Sequence, residues 1–250
     1  MIDIHTHILP DLDDGAKNKE EAIEILQMLQ AQGVLRVAFT PHYYGKKCSV
    51  EEFLTAREKA FIEIQDAIPN GLDVLLGAEV HLSGINDPSD ERLCELAISG
   101  TKCVLVELPF FGKWSKTLFE RLGDFVFDTG YTPIVAHIER YDAVRKSPSV
   151  VQRLIDAGCL VQVNTRAFYD KRTKRLAFSL LKKNMVHFLG TDAHDLVQRK
   201  PDYALAKQTV FEKGYQNAWE RVQENMIKVL ADERIDIKYK PFRKIFGIYF

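Results

Sequence analysis

Four features are scarce in this 250-residue sequence, and each scarcity argues against a class of protein. No stretch approaches the ~20 apolar residues that a membrane helix needs, and no basic segment precedes an apolar run of signal-peptide length. The four cysteines form no CxxC pair, which argues against a thiolate zinc site. The formal net charge is −1, so composition gives no reason to expect nucleic-acid or anionic-membrane binding. We therefore expect a cytoplasmic protein with reduced thiols.

The sequence instead shows a regular alternation of strand-like and helix-like segments. Several strand candidates are nearly continuous apolar runs, as is typical of parallel strands covered on both faces. Strands are predicted at 2–5, 36–41, 73–80, 103–109, 132–138, 160–165 and 186–192, and helices at 19–33, 49–68, 147–158, 201–214 and 215–233. Ser49 followed by Glu52 predicts a capping box. Seven strands, mostly followed by helices, predict a (β/α) barrel that is one strand short of the usual eight.

The last sixteen residues differ in composition from the rest of the chain. Residues 235–250 carry four basic residues and five aromatics, whereas 1–234 are predicted to form one domain. Two interpretations stay open for this tail. It packs its aromatic side chains on the barrel, or it is an arm for docking or oligomerisation.

Polar residues lie at the end of six of the seven predicted strands or just beyond it. They are His5, His7, His42, Glu79, His81, Glu107, His137, Glu139, Asp192 and His194. A single histidine at a strand end is usually structural, but the carboxyl ends of barrel strands converge on one face, where active sites are built. A carboxylate within an apolar run is costly unless it has a partner. The pattern therefore predicts a site with several metal ions, whose imidazole and carboxylate ligands suit Mn, Fe or Zn.

Taken together, these motifs resemble a known family. The segments DIHTHILPDLDDG, TPH, GAEVH, VELP, AHIER and GTDAH, in this order, resemble the PHP (polymerase and histidinol phosphatase) superfamily. More closely, they are similar to the bacterial manganese-dependent protein-tyrosine phosphatases of the CpsB and YwqE type, which act in capsule and exopolysaccharide control. The resemblance runs from residue 1 to about 200. It implies a PHP-type distorted (β/α)7 barrel as a single domain, with a three-metal centre of Mn²⁺, or of Fe or Zn.

The resemblance also implies a role for each polar residue. The ligands would be His5, His7 and Asp192 for the first ion, Glu79 bridging to a second ion that Glu107 and His137 complete, and Asp14, His42 and His194 for the third. Asp14 is preferred to Asp13 because of its spacing from the two histidines, and Asp13 is the alternative. Arg140 and Arg199 would bind the phosphate and act in catalysis, since guanidinium forks suit a phosphate dianion.

The implied reaction is hydrolysis of phosphotyrosine by a metal-bound hydroxide. The implied partner is a phosphotyrosine protein, namely the tyrosine-rich tail of a bacterial tyrosine kinase, and no nucleic acid is expected. Two alternatives stay open: a small-molecule phosphatase on the same scaffold, of the histidinol-phosphate type, and a non-catalytic regulator that docks on the kinase. The oligomeric state is not predicted.

Two further observations bear on the reaction and on the substrate. Cysteine-dependent tyrosine phosphatases carry an arginine six residues after the nucleophile, but here those positions hold Leu54, Gly100, Pro109 and Thr165. A thiol mechanism is therefore not expected. The pair Tyr43-Tyr44 and the segment 163–168 depart from the family pattern, and both are predicted to border the substrate mouth.

Overall fold

The computed structural model describes residues 1–82, 90–245 and 248–249. Within these ranges nine strands pair in parallel around the molecule. They are β1 (Ile2–Thr6), β2 (Arg36–Phe39), β3 (His42–Tyr43), β4 (Asp73–Leu76), β5 (Glu79–His81), β6 (Cys103–Glu107), β7 (Thr132–Val135), β8 (Leu160–Asn164) and β9 (Phe188–Gly190). One sheet has the order β1-β2-β4 and the other has the order β3-β5-β6-β7-β8-β9.

The two sheets form one distorted ring. Backbone hydrogen bonds join the end of β9 to the end of β1: the Asp192 N–H donates to the His5 carbonyl (2.8 Å), and the His7 N–H donates to the Ala193 carbonyl (2.9 Å). A glycine permits this approach, because a Cβ at Gly190 would lie 2.5 Å from the His5 Cβ. The predicted seven-stranded distorted (β/α)7 barrel is therefore confirmed.

Two of the seven predicted strands are each interrupted. The predicted strand at 36–41 becomes β2 and β3, and the one at 73–80 becomes β4 and β5. The interruptions lie side by side, since β2 pairs with β4 and β3 pairs with β5. Proline at position 41, which has no N–H to donate, marks the first break. Beyond the breaks, His42 begins β3 and Glu79 begins β5, and the two residues are in register. They therefore lie at the same level of the barrel.

Helices cover the outside of the ring. They are α1 (Lys19–Ala31), α2 (Val50–Ile64), α3 (Lys116–Thr129), α4 (Asp142–Lys146), α5 (Val150–Asp156), α6 (Lys174–Lys182), α7 (Tyr203–Glu212) and α8 (Gln216–Leu230). The capping box of Ser49 and Glu52 is present at the start of α2. The predicted helix start at Ser147 is wrong: α5 begins at Val150, because Ser147 instead closes a turn by accepting a hydrogen bond from the Val150 N–H (2.9 Å). Among the described residues, no helix is both long and apolar enough to cross a membrane.

The tail packs on the barrel through its first part. The Tyr239 hydroxyl donates to Asp156 (2.6 Å), and the Asn184 amide donates to the Lys238 carbonyl (3.1 Å). Phe242 belongs to the same buried cluster as the barrel core. Packing of aromatic residues on the barrel is therefore confirmed for the segment that ends at Phe242. After Phe242, the backbone of β10 (Lys244–Ile245) pairs in antiparallel fashion with that of β11 (Ile248–Tyr249). The domain limit between 234 and 235 stays a prediction.

Candidate metal centre

All nine predicted ligands converge at one end of the barrel. β1 and its extension carry two of them, β3 and β5 each begin with one, β6 ends with one, and the segments after β7 and β9 supply three more. The ninth lies in the loop after β1. Only Asp14, whose side chain is 64% exposed, reaches solvent freely, and the His42 side chain is 12% exposed. The other seven are buried: His5, His7, Glu79, Glu107, His137, Asp192 and His194.

The first group of donors surrounds the end of β1. The ligand atoms of His5, His7 and Asp192 all lie within 4.8 Å of one another. The Nε2 atoms of the two histidines are 3.1 Å apart, and each is 3.5 Å from Asp192 Oδ1. Glu79 Oε2 lies 3.2 Å from the His5 nitrogen and 3.3 Å from the His7 nitrogen. The four residues predicted around the first ion are therefore together.

The second group lies on the other side of the same carboxylate. His137 Nε2 is 2.7 Å from Glu79 Oε1 and 3.2 Å from Glu107 Oε1. The two oxygens of Glu79 thus face two different sets of donors, which is the arrangement that a bridging carboxylate requires. The ring of His42 lies on the Oε2 side, with Nδ1 3.0 Å from that oxygen, and His42 also forms a cluster of possible ligands with Glu79 and Glu107.

The third group lies at the solvent side. Asp14 Oδ1 is 3.4 Å from His42 Nε2 and 3.5 Å from His194 Nε2. His7 completes a cluster with these three residues. The predicted set of Asp14, His42 and His194 is therefore brought together.

The two candidate aspartates of the β1 loop occupy different places. Asp13 Oδ2 lies 2.6 Å from His7 Nδ1, behind the ring, and also accepts the His42 N–H at 2.8 Å. Burial lowers the pKa of His7, but the hydrogen bond and charge of Asp13, together with Glu79, outweigh burial and raise the pKa to about 10. Asp13 therefore orients His7, while Asp14 faces the donor group.

A glycine makes this loop possible. The Ala16 N–H donates to the His7 carbonyl (3.0 Å), so the chain doubles back onto the histidine. A Cβ at Gly15 would lie 2.0 Å from the His7 carbonyl oxygen and 2.6 Å from the His7 Cβ. Only glycine fits at this position.

Of the seven predicted strands, the one at 160–165, now β8, was the one without a predicted ligand, and it orients the ligands of its neighbours. Gln162 Oε1 accepts the His137 N–H (2.6 Å) and lies 3.2 Å from His5 Nδ1. The Gln162 amide donates to Asn164, and the Asn164 amide donates to Asp192 Oδ2 (2.9 Å). Because Gln162 Oε1 can only accept, His5 Nδ1 carries the proton and Nε2 faces the centre. The signal that could have revealed both residues is an amide at alternate positions of an otherwise apolar run.

Two ligand candidates have an unusual backbone. His137 has φ 31° and ψ 54°, and Asp192 has φ 56°, so both lie in the left-handed region that non-glycine residues rarely adopt. The hydrogen bonds to Gln162 and to the His5 carbonyl hold these conformations. Such strain, held by the surrounding structure, is typical of functional sites.

The donor set requires positive charge. The carboxylates of Asp14, Glu79, Glu107 and Asp192 converge, and the ion pairs of Arg140 and Arg199 within the described residues reach Asp192 and Asp14 but not the two glutamates. Burial raises the pKa of Glu107, but hydrogen bonds from His137 and His81 outweigh burial and lower it to about 2. Among the described residues, two buried imidazole nitrogens at the centre, His137 Nδ1 and His194 Nε2, have no hydrogen-bond partner, and His42 Nδ1 and Glu79 Oε2 lie 3.0 Å apart without the geometry of a hydrogen bond. Anionic oxygens beside unpartnered imidazole nitrogens are a donor set that divalent cations fit.

A cavity of about 840 Å³ opens beside the centre. Arg140 Nη1 donates to Asp192 Oδ2 (3.0 Å), and Arg199 Nη2 donates to Asp192 Oδ1 (2.6 Å). Both arginines line the cavity, as do Asn164, Arg166 and Ala167. The prediction that segment 163–168 borders the mouth is therefore confirmed.

The pair Tyr43-Tyr44 was also predicted to border the substrate mouth, and for Tyr43 this prediction is wrong. Tyr43 is buried against Phe53 and not at the mouth, because alternate residues of β3 point to opposite sides. Tyr44 lies beside the rings of His42 and His81.

The cysteines are unsuited to nucleophilic chemistry. Burial raises the pKa of Cys103 and of Cys159 to about 12. It also raises the pKa of the half-buried Cys48 and Cys94. A thiol that stays protonated is a poor nucleophile.

The sequence matches a known protein family over most of its length. The family model for CpsB/CapC, described as capsular polysaccharide synthesis, matches residues 1–231. The chain is 32% identical over 209 residues to the tyrosine-protein phosphatase YwqE of Bacillus subtilis (strain 168), covering 80% of this chain and 79% of that protein. It is 30% identical over 245 residues to the tyrosine-protein phosphatase CpsB of Streptococcus pneumoniae, covering 94% of this chain and 100% of that protein.

A solved structure is similar over nearly the whole chain. It comes from work on YwqE from Bacillus subtilis and CpsB from Streptococcus pneumoniae, described as unique metal-dependent tyrosine phosphatases. It aligns with a TM-score of 0.82 at 26% identity and covers 98% of this chain and 100% of that chain.

Proposed function

Because the chain belongs to the CpsB/CapC family of capsular polysaccharide synthesis proteins, we propose that it is a metal-dependent protein-tyrosine phosphatase in capsule or exopolysaccharide control. One observation carries the proposal. The two oxygens of Glu79 face two sets of nitrogen and oxygen donors, and Arg140 and Arg199 stand at the cavity beside them. This combination suits hydrolysis of a phosphate monoester.

The ligand roles proposed from the sequence agree with the observed distances. His5, His7 and Asp192 would hold one ion, with Glu79 shared by a second ion that Glu107 and His137 complete. Asp14, His42 and His194 would hold a third, and Mn²⁺ is the proposed metal. When bound, the cations supply an activated water and neutralise charge on the phosphoryl oxygens.

The protein side chains position the ester. The guanidinium groups of Arg140 and Arg199 meet at Asp192 and would hold the phosphate against the ligand cluster. The rings of Phe110 and His137 stack with their centroids 5.4 Å apart, and the Arg140 guanidinium lies 5.0 Å from the centroid of the Phe110 ring. Phe110 therefore gives the cavity an apolar wall. The leaving phenol has a pKa of ~10, so the reaction needs less acid assistance than release of a serine alkoxide.

The proposed substrate is a phosphotyrosine protein, specifically the tyrosine-rich tail of a bacterial tyrosine kinase. A substrate panel tests the activity: a phosphotyrosine peptide, a phosphoserine peptide and histidinol phosphate, each with Mn²⁺-loaded protein. We expect kcat/KM for the phosphotyrosine peptide to exceed the other two by roughly a hundredfold. A preference for histidinol phosphate would favour the small-molecule alternative. No turnover of any substrate by fully loaded protein would favour the docking regulator.

The two aspartates of the β1 loop should respond differently to substitution. Asp14→Asn is expected to reduce the bound metal by one ion per chain, because it removes the carboxylate that faces His42 and His194. Asp13→Asn is expected to keep the ion count under saturating metal but to weaken affinity by about 10- to 100-fold, as is typical when the partner of a ligating histidine is lost. Metal titration followed by elemental analysis measures both. An equal loss of one ion in both variants would contradict the assignment.

A further inference from the structure

The cavity has a second group of arginines beyond those that contact Asp192. Arg145, Arg166 and Arg172 line it but contact none of the predicted metal ligands. An open cavity with this many cations suits an anionic ligand that is larger than one phosphate group.

Two of these three arginines have their charge balanced locally. Arg145 donates to Asp142 at 2.9 Å. Arg172 donates to both oxygens of Asp170, at 3.3 and 3.0 Å. Neither guanidinium is therefore an unbalanced charge at the mouth.

Arg166 differs from its two neighbours. Within the part of the chain that the structure describes, it forms no ion pair, and its only side-chain hydrogen bond goes from Nη1 to the Gln198 carbonyl (2.6 Å). Two carboxylates interact electrostatically with Arg166, but both are already hydrogen-bonded elsewhere: Asp202 accepts from Thr165 and Tyr169, and Asp170 accepts from Arg172. Arg166 is exposed, so the rest of its planar fork of donors faces solvent.

Arg166 lines the same cavity as Arg140 and Arg199, the two arginines proposed to hold the phosphate. Asn164, two residues earlier, donates to Asp192. Gln198, which Arg166 contacts, precedes Arg199, which also donates to Asp192. Two strongly exposed apolar side chains, Phe111 (86%) and Val197 (80%), line the same cavity. This mouth matches a peptide with an apolar contact and a second anionic group beside the phosphotyrosine.

We propose that Arg166 is a specificity-determining residue that binds a second anionic group of the peptide substrate, a carboxylate or a phosphate, near the phosphotyrosine. The inference rests on the proposed phosphatase function. The bidentate fork of an arginine suits either group. In the free protein, no ion pair with a described residue neutralises the charge of the Arg166 guanidinium. An alternative role is purely structural, in which Arg166 ties the loop of Gln198 to β8.

The test compares three phosphotyrosine peptides. The first has only neutral neighbours, the second carries one glutamate two residues from the phosphotyrosine, and the third carries phosphoserine there. The variant is Arg166→Gln. The matched control is Arg175→Gln, which removes the same charge from an exposed position of α6 outside the cavity lining. Turnover of para-nitrophenyl phosphate reports on the centre alone.

For Arg166→Gln we expect kcat/KM to fall about fivefold on the glutamate or phosphoserine peptide, mainly through KM. The neutral peptide and para-nitrophenyl phosphate should change less than about twofold, as should every substrate with Arg175→Gln. A loss on either anionic peptide alone supports the site and identifies which anion it takes. Equal losses on all substrates would favour the structural role and overturn the proposal, as would no loss on any of them. Turnover of the neutral peptide by the unmodified protein separately tests the phosphatase function.

Discussion

Removal of divalent cations is expected to reduce phosphotyrosine-peptide turnover by more than roughly a thousandfold, and added Mn²⁺ to restore it. The physical reason lies in the side chains themselves. The carboxylates at the centre are arranged to bind cations, and burial keeps the thiols of Cys103 and Cys159 protonated. In the proposed mechanism, the water that the cations activate is the only source of the nucleophile. The measurement is peptide turnover after chelation, after buffer exchange and after stepwise return of Mn²⁺.

Iodoacetamide provides the matched control for chelation. The half-buried Cys48 and Cys94 also have raised pKa values, so alkylation should be slow and should leave activity nearly intact. Strong inactivation by iodoacetamide, combined with resistance to chelators, would contradict the metal mechanism. Return of activity with Zn²⁺ or Fe²⁺ but not Mn²⁺ would correct only the proposed metal.

Replacement of Glu79 by glutamine is expected to have the largest effect of any single substitution. Glu79 Oε1 lies 2.7 Å from His137, and Oε2 lies 3.2 Å from His5, so this carboxylate faces both inner donor groups. An amide of the same shape has one weaker ligand atom and places an N–H₂ group against the other donors. We expect Glu79→Gln to lose up to two ions and to reduce kcat by at least about a thousandfold.

Elemental analysis and single-peptide kinetics measure both effects on one preparation. Glu63→Gln, on the exposed face of α2, is the matched control and should retain both metal and activity. Circular dichroism distinguishes loss of metal from loss of fold. A Glu79→Gln protein that keeps three ions and full turnover would exclude Glu79 as the shared ligand.

The sequence predicted the barrel well because most of its strands are buried on both faces. β6 and β8 are fully buried runs, and such runs are recognisable without any tertiary information. Helix ends were less predictable. Ser147-Pro148 resembles a helix start, but the pair lies in a turn before α5 that the Ser147 backbone carbonyl closes. Serine and proline occur in turns as well as at helix starts, so the dipeptide alone does not distinguish the two.

The composition of the site was predictable for a similar reason. The carboxyl ends of barrel strands meet on one face, so polar residues at those ends must be neighbours whatever the details of the loops. The roles of Gln162 and Asn164 were not predicted, because an amide side chain within a strand does not by itself indicate a function. Its importance follows from contacts with His5, His137 and Asp192, which come from other strands.

The sequence by itself determined which residues would meet, because the alternation of strands and helices fixes the barrel and the polar residues end its strands. It also showed that no cysteine is suited to act as the nucleophile. Only the tertiary structure decided how they meet. It separated Asp13 from Asp14, because adjacent loop residues diverge when Gly15 folds the chain back onto His7. Among the residues that the structure describes, it also left Arg166 without an ion pair. Arg145 and Arg172 pair with acidic residues two or three positions away, whereas Asp170 and Asp202, whose charges reach Arg166, accept hydrogen bonds from other side chains that the fold brings to them.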